Sequence, residues 1–202
     1  KTVNAQQQQE KVFCEGRPLK NTFNFASLGH AVEADGNCEH AVKVRMAKAG
    51  RRFGELRFNL LWKDKSLPLK LKLQLYHRGV ISVLVYGFQA WKFTDRVVSM
   101  LKGFNARCLY KLTGRTVAQE SRSPSFDLIK TLRARRLRWV GHVLRLDNSY
   151  LSRRVLVEVS KAKPYPRGSI LEDAPPHDSV ADLVDQALNR GAWSKLVGLL
   201  EK

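Results

Sequence analysis

The chain has 202 residues, enough for one well-buried core or one domain with an appendage. An apolar share of 44% with four Trp excludes a disordered polyelectrolyte, and a formal charge of +18 excludes an electrically balanced surface. The excess is uneven: residues 172–202 hold three basic against six acidic side chains, which leaves a net +21 on residues 1–171. A positive field of that size draws polyanions, and nucleic acid is the commonest of these. An anionic membrane is the rival. No basic stretch has the bulky, acid-poor pattern of an interfacial anchor, and the longest apolar run, 79–88, is too short to span a bilayer.

In chain order, residues 1–10 open on a Gln tract with nothing to bury. Two short extended segments follow, 11–14 and 22–28, the second with Phe23 and Phe25 alternating. Glu15-Gly16-Arg17-Pro18 between them reads as the turn of a β-hairpin, and Ala34-Asp35-Gly36 reads as a second turn. Cys14, Cys38 and Cys108 are scattered, which suits a reducing intracellular compartment, nuclear or cytoplasmic. Cys38 and His40 form a lone Cys-x-His pair, with no second pair to complete four zinc ligands.

Asn37 is placed to cap a long helix over 38–62, where Val42, Met46, Ala49, Phe53, Leu56 and Leu60 form a packing stripe. Lys43, Lys48, Arg51, Arg52 and Arg57 crowd its remaining surface. Ser66-Leu67-Pro68 opens the window 66–91, which satisfies strand and helix equally: Leu69, Leu71, Leu73 and Leu75 alternate, yet Leu69, Leu73, Tyr76, Val80 and Leu84 share a helix face. Thr94-Asp95 starts a helix through Leu112, with Val97, Val98, Leu101, Phe104, Cys108 and Leu112 inward and Thr113-Gly114 as its stop.

Ser123-Pro124 precedes the next helix, 124–146. Here Ile129, Leu132, Leu137, Trp139, Val140, Val143 and Leu144 occupy about half the cylinder. Opposite them Arg135, Arg138, His142 and Arg145 recur at spacings of three, four and three. A ridge of guanidinium forks on a rigid element suits phosphate oxygens; the plain alternative is a solvated helix face. Arg133 and Arg136 project near or into the apolar half and need a carboxylate, a phosphate or a route along the packed surface. Beyond Asn148, the Pro/Gly/Lys stretch 161–168 reads as connector. Asp178 or Ser179 caps a helix over Val180, Leu183, Val184, Ala187 and Leu188, Gly191 breaks it, and Trp193, Leu196, Val197 and Leu200 make a final amphipathic turn or two.

No catalytic constellation emerges. The adjacent acids Glu172-Asp173 stand ahead of a helix, where the helix dipole accounts for them, and no P-loop, zincin or nucleophile-elbow motif is present. His142 has no carboxylate in local register to orient it as a base. The pattern offers binding, not turnover.

Phe25-Ala26-Ser27-Leu28-Gly29 followed by Asp35-Gly36, then Leu75-Tyr76, Val83-Leu84-Val85-Tyr86-Gly87 and Trp91, resemble one family in order and spacing. So do Phe104-Asn105-Ala106-Arg107-Cys108-Leu109, the string RRLRWVGHVLR from Arg135 to Arg145, and Asn189-Arg190 with Trp193. The family is the reverse transcriptases of non-LTR (LINE-type) retrotransposons, in the segment downstream of the polymerase palm. The resemblance runs over nearly the whole chain. It implies a mainly α fold: a primer-grip-like hairpin in 1–36, a thumb-like and post-thumb helical bundle in 37–147, a connector in 148–177 and an acidic helical tail in 178–202. It also tips the 66–91 window to helix. Ser27 stands where the family carries an aromatic.

The residues expected to meet template and primer are Phe25, Leu28, Gly29, Lys48, Arg51, Arg52, Arg135, Arg136, Arg138, His142 and Arg145. The family's metal-binding palm carboxylates and its endonuclease have no counterpart in these 202 residues. The chain, which begins at Lys1 rather than Met, is therefore expected to be a fragment or a decayed or repurposed copy, inactive alone and without a cofactor of its own. Mg²⁺ would belong to the palm. The expected partners are an RNA or DNA template–primer and the remainder of a polymerase. The competing reading is a structural or protein-interaction relic whose basic faces pair with its own acids, Asp182 and Asp185 among them. A sequence-specific helix-turn-helix lacks its short Gly turn here.

Overall fold

The computed structural model describes residues 12–20, 22–27, 29–58, 62, 64, 66–114, 127–162 and 164–201. The fold is mainly helical with small antiparallel hairpins at its N-terminal end, as expected. The strand pairing differs from the expected one. Strand β1 (Phe13–Cys14) folds back on β2 (Arg17–Pro18), and β3 (Asn24–Ser27) pairs with β4 (His30–Glu33). Gly29 in the second connection takes φ 76°, a left-handed conformation open to glycine at no steric cost, and this lets 22–27 turn back on itself at once. The turn ending at Gly36 is as expected, its N–H donating to the Glu33 carbonyl (3.0 Å).

Helix α1 (Glu39–Phe58) starts where Asn37 Oδ1 accepts from the Glu39 N–H (3.1 Å). Val42, Ala49, Phe53 and Leu56 are buried as the stripe required; Leu60 lies outside the described residues. The ambiguous window is helical. Helix α2 runs from Leu69–Tyr76 through a π-helical turn, His77–Ile81, into Ser82–Leu84, followed by a 3₁₀ turn, Phe88–Ala90. Helix α3 (Asp95–Thr113) has the expected Thr94 cap, buries Val97, Leu101, Phe104, Cys108 and Leu112, and ends at Gly114 with φ 72°. Helix α4 (Leu128–Leu144) is capped by the Asp127 carboxylate, which accepts from the N–H groups of Ile129 and Lys130.

The remaining helices among the described residues are α5 (Leu151–Ser160), α6 (Val180–Leu188) and α7 (Arg190–Glu201). Helix α5 falls inside the stretch expected to be connector. Gly191 does not break the chain, because Asn189 leaves helical geometry (ψ 86°) and its Oδ1 accepts from Ala192 N–H, opening α7 one residue later.

Two apolar clusters hold these helices, and α4 belongs to both. Its first half, with Leu128, Ile129 and Leu132, completes the cluster of α1, α2 and α3. Its second half, Leu137, Val140, Val143 and Leu144, packs with Leu156, Leu171, Leu183, Ala187, Trp193 and Val197. The segment expected to be an acidic tail is thus packed on α4. The Trp193 indole donates to the Leu137 carbonyl (3.0 Å) directly beside Gly141, whose missing side chain makes the room.

Candidate nucleic-acid interface

Helix α4 sorts its cations by depth. Arg135, Arg138 and His142 are exposed, spread over about 10 Å of helix axis at 1.5 Å per residue. Arg145, the fourth expected member, is half-buried and donates to the Ala187 carbonyl (2.8 Å), satisfying an otherwise orphaned group at the C-terminal end of α6. Burial, and then the nearby Arg190, push its pKa below the ordinary arginine value. The exposed ridge is therefore three residues long, and the fourth expected member, Arg145, belongs to the fold.

Arg136 is likewise removed from the expected contact set. It is 0% exposed at the seam between the two clusters. Its guanidinium lies over the Phe93 ring (4.3 Å), donates to the Gly168 carbonyl (3.2 Å) and faces Asp173 Oδ2 at 3.6 Å. Arg133 reaches the other oxygen of the same carboxylate at 3.5 Å. One carboxylate thus faces both arginines that point into the apolar half and offsets one of their two charges, the counter-charge that the buried Arg136 requires. Burial pushes the Asp173 carboxyl up against the pull of Arg136 and Arg133, and burial pushes Arg136 down.

The Glu172-Asp173 pair is consequently not there for a helix dipole. Glu172 accepts from the Gly168 N–H (2.7 Å) and shapes the turn, while Asp173 serves the arginines. Gly168 also receives the Phe93 N–H on its carbonyl (2.8 Å). Its φ of 76°, and a Cβ position 2.7 Å from the Phe93 carbonyl carbon, restrict the site to glycine.

The cations of α1 stand on a helix that shares α3 with α4 as a packing partner. Arg51 is exposed, Lys48 half-buried, and Arg52 pairs with Glu55 in solvent (2.9 Å), an arrangement that screens rather than cancels its charge. Arg45 from the same helix is buried: it donates to the Gly29 carbonyl (2.5 Å) and lies over the Tyr86 ring (4.2 Å), pinning the β3–β4 hairpin. Phe25 stands opposite Val32 in that hairpin and both face solvent, at 63% and 51% exposure. Leu28 lies outside the described residues.

His77, which no sequence motif marks, stands beside Arg135. The two line a cleft of about 20 Å³ with Ile81, Asn105, Leu128, Thr131 and Leu132. Burial, and then the Arg135 charge, hold the His77 pKa below its ordinary 6.5. Nearby, the Tyr76 hydroxyl donates to Asn105 Oδ1 (2.8 Å), and burial pushes the Cys108 thiol up to about 11.

Among the described residues no group of three His, Cys, Asp or Glu side chains is placed to hold a metal ion, and no helix is long and apolar enough to cross a membrane. Comparison of the chain with protein-family models, curated proteins and solved structures returns no match.

Proposed function

We propose that this chain binds the phosphate backbone of a nucleic-acid duplex, as the thumb and post-thumb segment of a LINE-type reverse transcriptase grips its template–primer. The observation that carries this reading is the sorting of cations on α4. Arg133, Arg136 and Arg145 point inward to Asp173 or a backbone carbonyl, and Arg135, Arg138 and His142 are exposed on the same rigid helix of a chain with net charge +18. A stripe of that length faces several phosphates, since a duplex carries one charge per about 1.7 Å of axis. Such contacts follow backbone and groove shape, so sequence preference is slight. The chemistry that copies a template needs carboxylates and Mg²⁺ supplied by another domain, and this chain alone is inactive. The test is binding of the full chain to a short primer–template duplex over a series of salt concentrations. The reading requires affinity that falls steeply with salt; affinity that is absent at low salt refutes it.

A second reading, a structural or protein-interaction relic, draws support from Arg136 and Arg145, whose charge is spent within the fold. It requires no duplex binding by the full chain, nor by a chain in which Asp173 is replaced to release Arg133 and Arg136.

A further inference from the structure

The geometry points to an oxyanion site between two helices: His77 on α2 and Arg135 on α4 together take one phosphate group, which rests on the nucleic-acid reading above and extends it to a residue outside the α4 ridge.

Both side chains are exposed where they line the same small cleft. Its volume of about 20 Å³ is that of a single water, so the anion rests across its mouth between them. The other lining groups, Ile81, Asn105, Leu128, Thr131 and Leu132, carry no negative charge. Neither His77 nor Arg135 has an ion-pair partner among the described residues. Two groups that repel one another when both are charged have been brought together with no carboxylate among the described residues that line the cleft, although this fold supplies one where Arg136 is buried. An anion resolves that arrangement. A tetrahedral oxyanion accepts from the guanidinium fork through one edge and from an imidazolium N–H through another oxygen.

The backbone at His77 is unusual as well. His77–Ile81 is a π-helical turn, a rare form that recurs at functional sites. It brings His77 to the cleft while Val80 and Ile81 stay buried, and the His77 ring leans on Tyr76 with centroids 5.7 Å apart. The groups facing His77 across the cleft are Arg135 from α4 and the uncharged Asn105 from α3; its own helix adds Tyr76.

Binding then carries a proton with it. In the free chain the imidazole is neutral near pH 7, held so by burial and by Arg135. A bound phosphate oxygen favours the imidazolium, so the bound-state pKa lies above the free-state one, and His77 takes up one proton from solvent as the anion seats. Affinity rises as the pH falls from the bound-state pKa toward the free-state pKa, and is level outside that window. One proton sets the limit at about tenfold per pH unit.

The test follows the His77 imidazole resonances of the full chain by NMR through a pH titration, alone, with sodium sulfate, and with a short DNA duplex. Sulfate keeps its charge over this range, as the phosphodiester backbone does. Sulfate and duplex are each expected to raise the His77 midpoint, and R135Q to abolish the rise with sulfate. The site is overturned if neither anion moves the midpoint, or if R135Q leaves the rise intact. The two anions separate the claims. Duplex binding with an unmoved His77 midpoint sinks the site and leaves the nucleic-acid reading standing; a midpoint moved by sulfate in a chain that ignores duplex supports the oxyanion site and sinks that reading.

Discussion

Gly141 lies against the indole of Trp193, so close that a Cβ on Gly141 would stand 2.6 Å from the indole Cε2 and 2.8 Å from Cδ1. This contact docks α7 onto α4, with the indole N–H closing on the Leu137 carbonyl. The Gly-His within the arginine-rich string therefore serves packing at its first residue and the surface at its second. Gly141→Ala forces the Trp193 ring out of register and is expected to cost about 2–3 kcal/mol, as overpacking does. Trp193→Phe keeps most of the apolar contact but removes the indole N–H bond to the Leu137 carbonyl, which keeps its partner within the helix, and is expected to cost about 0.5–1.5 kcal/mol. Urea unfolding of each variant gives both values.

Asp173 supplies the carboxylate that the buried Arg136 faces, and the pair shows the asymmetry of buried charges. Asp173→Asn leaves a guanidinium without this counter-charge and is expected to lose about 3–5 kcal/mol. Replacing both partners by apolar residues of similar bulk, R136M with D173L, removes the desolvation cost along with the attraction and should fall within about 1 kcal/mol of the parent. A double variant as unstable as the single one would mean that Arg136 is held by Phe93 and Gly168 rather than by Asp173.

Arg145 separates fold from function. Arg145→Gln removes the bond to the Ala187 carbonyl and is expected to lower stability by about 1–2 kcal/mol through the α4–α6 contact. Duplex affinity, measured well below the melting temperature, should keep its salt dependence. A shallower salt dependence in this variant would return Arg145 to the contact surface.

Stability should depend on pH through His77, and the sign is fixed by its depressed pKa. The unfolded chain takes up a proton near the ordinary 6.5 while the folded chain still resists it, so the full stability is present above 6.5 and is lost as pH falls through the folded-state pKa. His77→Gln flattens this part of the curve. Comparing the pH dependence of unfolding in the two proteins checks it, and identical curves would contradict a depressed His77 pKa in the folded chain.

The three thiols should react in two classes. Cys14 is exposed, whereas Cys38 and Cys108 are buried and burial raises the pKa of both. A chromogenic disulfide reagent at mildly alkaline pH is expected to modify one thiol fast and two only on unfolding. Three fast thiols would contradict the burial of Cys38 and Cys108.

Much of this architecture was legible in the chain because apolar spacing dictates which face is buried. The stripe Val97, Leu101, Phe104, Cys108, Leu112 marked α3 with its cap and stop, and Leu132, Leu137, Val140, Val143 and Leu144 marked the inward side of α4. Helix α5 escaped because its one deeply buried apolar side chain is Leu156, while Leu151, Val155 and Val159 face solvent, so no inward stripe marked it beside the Pro-rich stretch.

The fate of individual arginines was only half legible. Spacing showed that Arg133 and Arg136 point inward and therefore need a counter-charge, but their partner is remote in sequence, in a turn shaped by Gly168 and Glu172. Arg145 carried no such signal: its partner is a backbone carbonyl, and carbonyls leave no mark in a sequence. His77 hid for a related reason, since its closeness to Arg135 arises from the crossing of α2 and α4.

The most direct measurement is the slope of duplex affinity against salt for the parent chain and for R135Q with R138Q. Each phosphate contact contributes about 0.9 to the slope of log affinity against log salt, so the double variant should be shallower by about 1.8 while remaining folded. A slope unchanged by removing both side chains would contradict the assignment of the exposed face of α4 to the phosphate backbone.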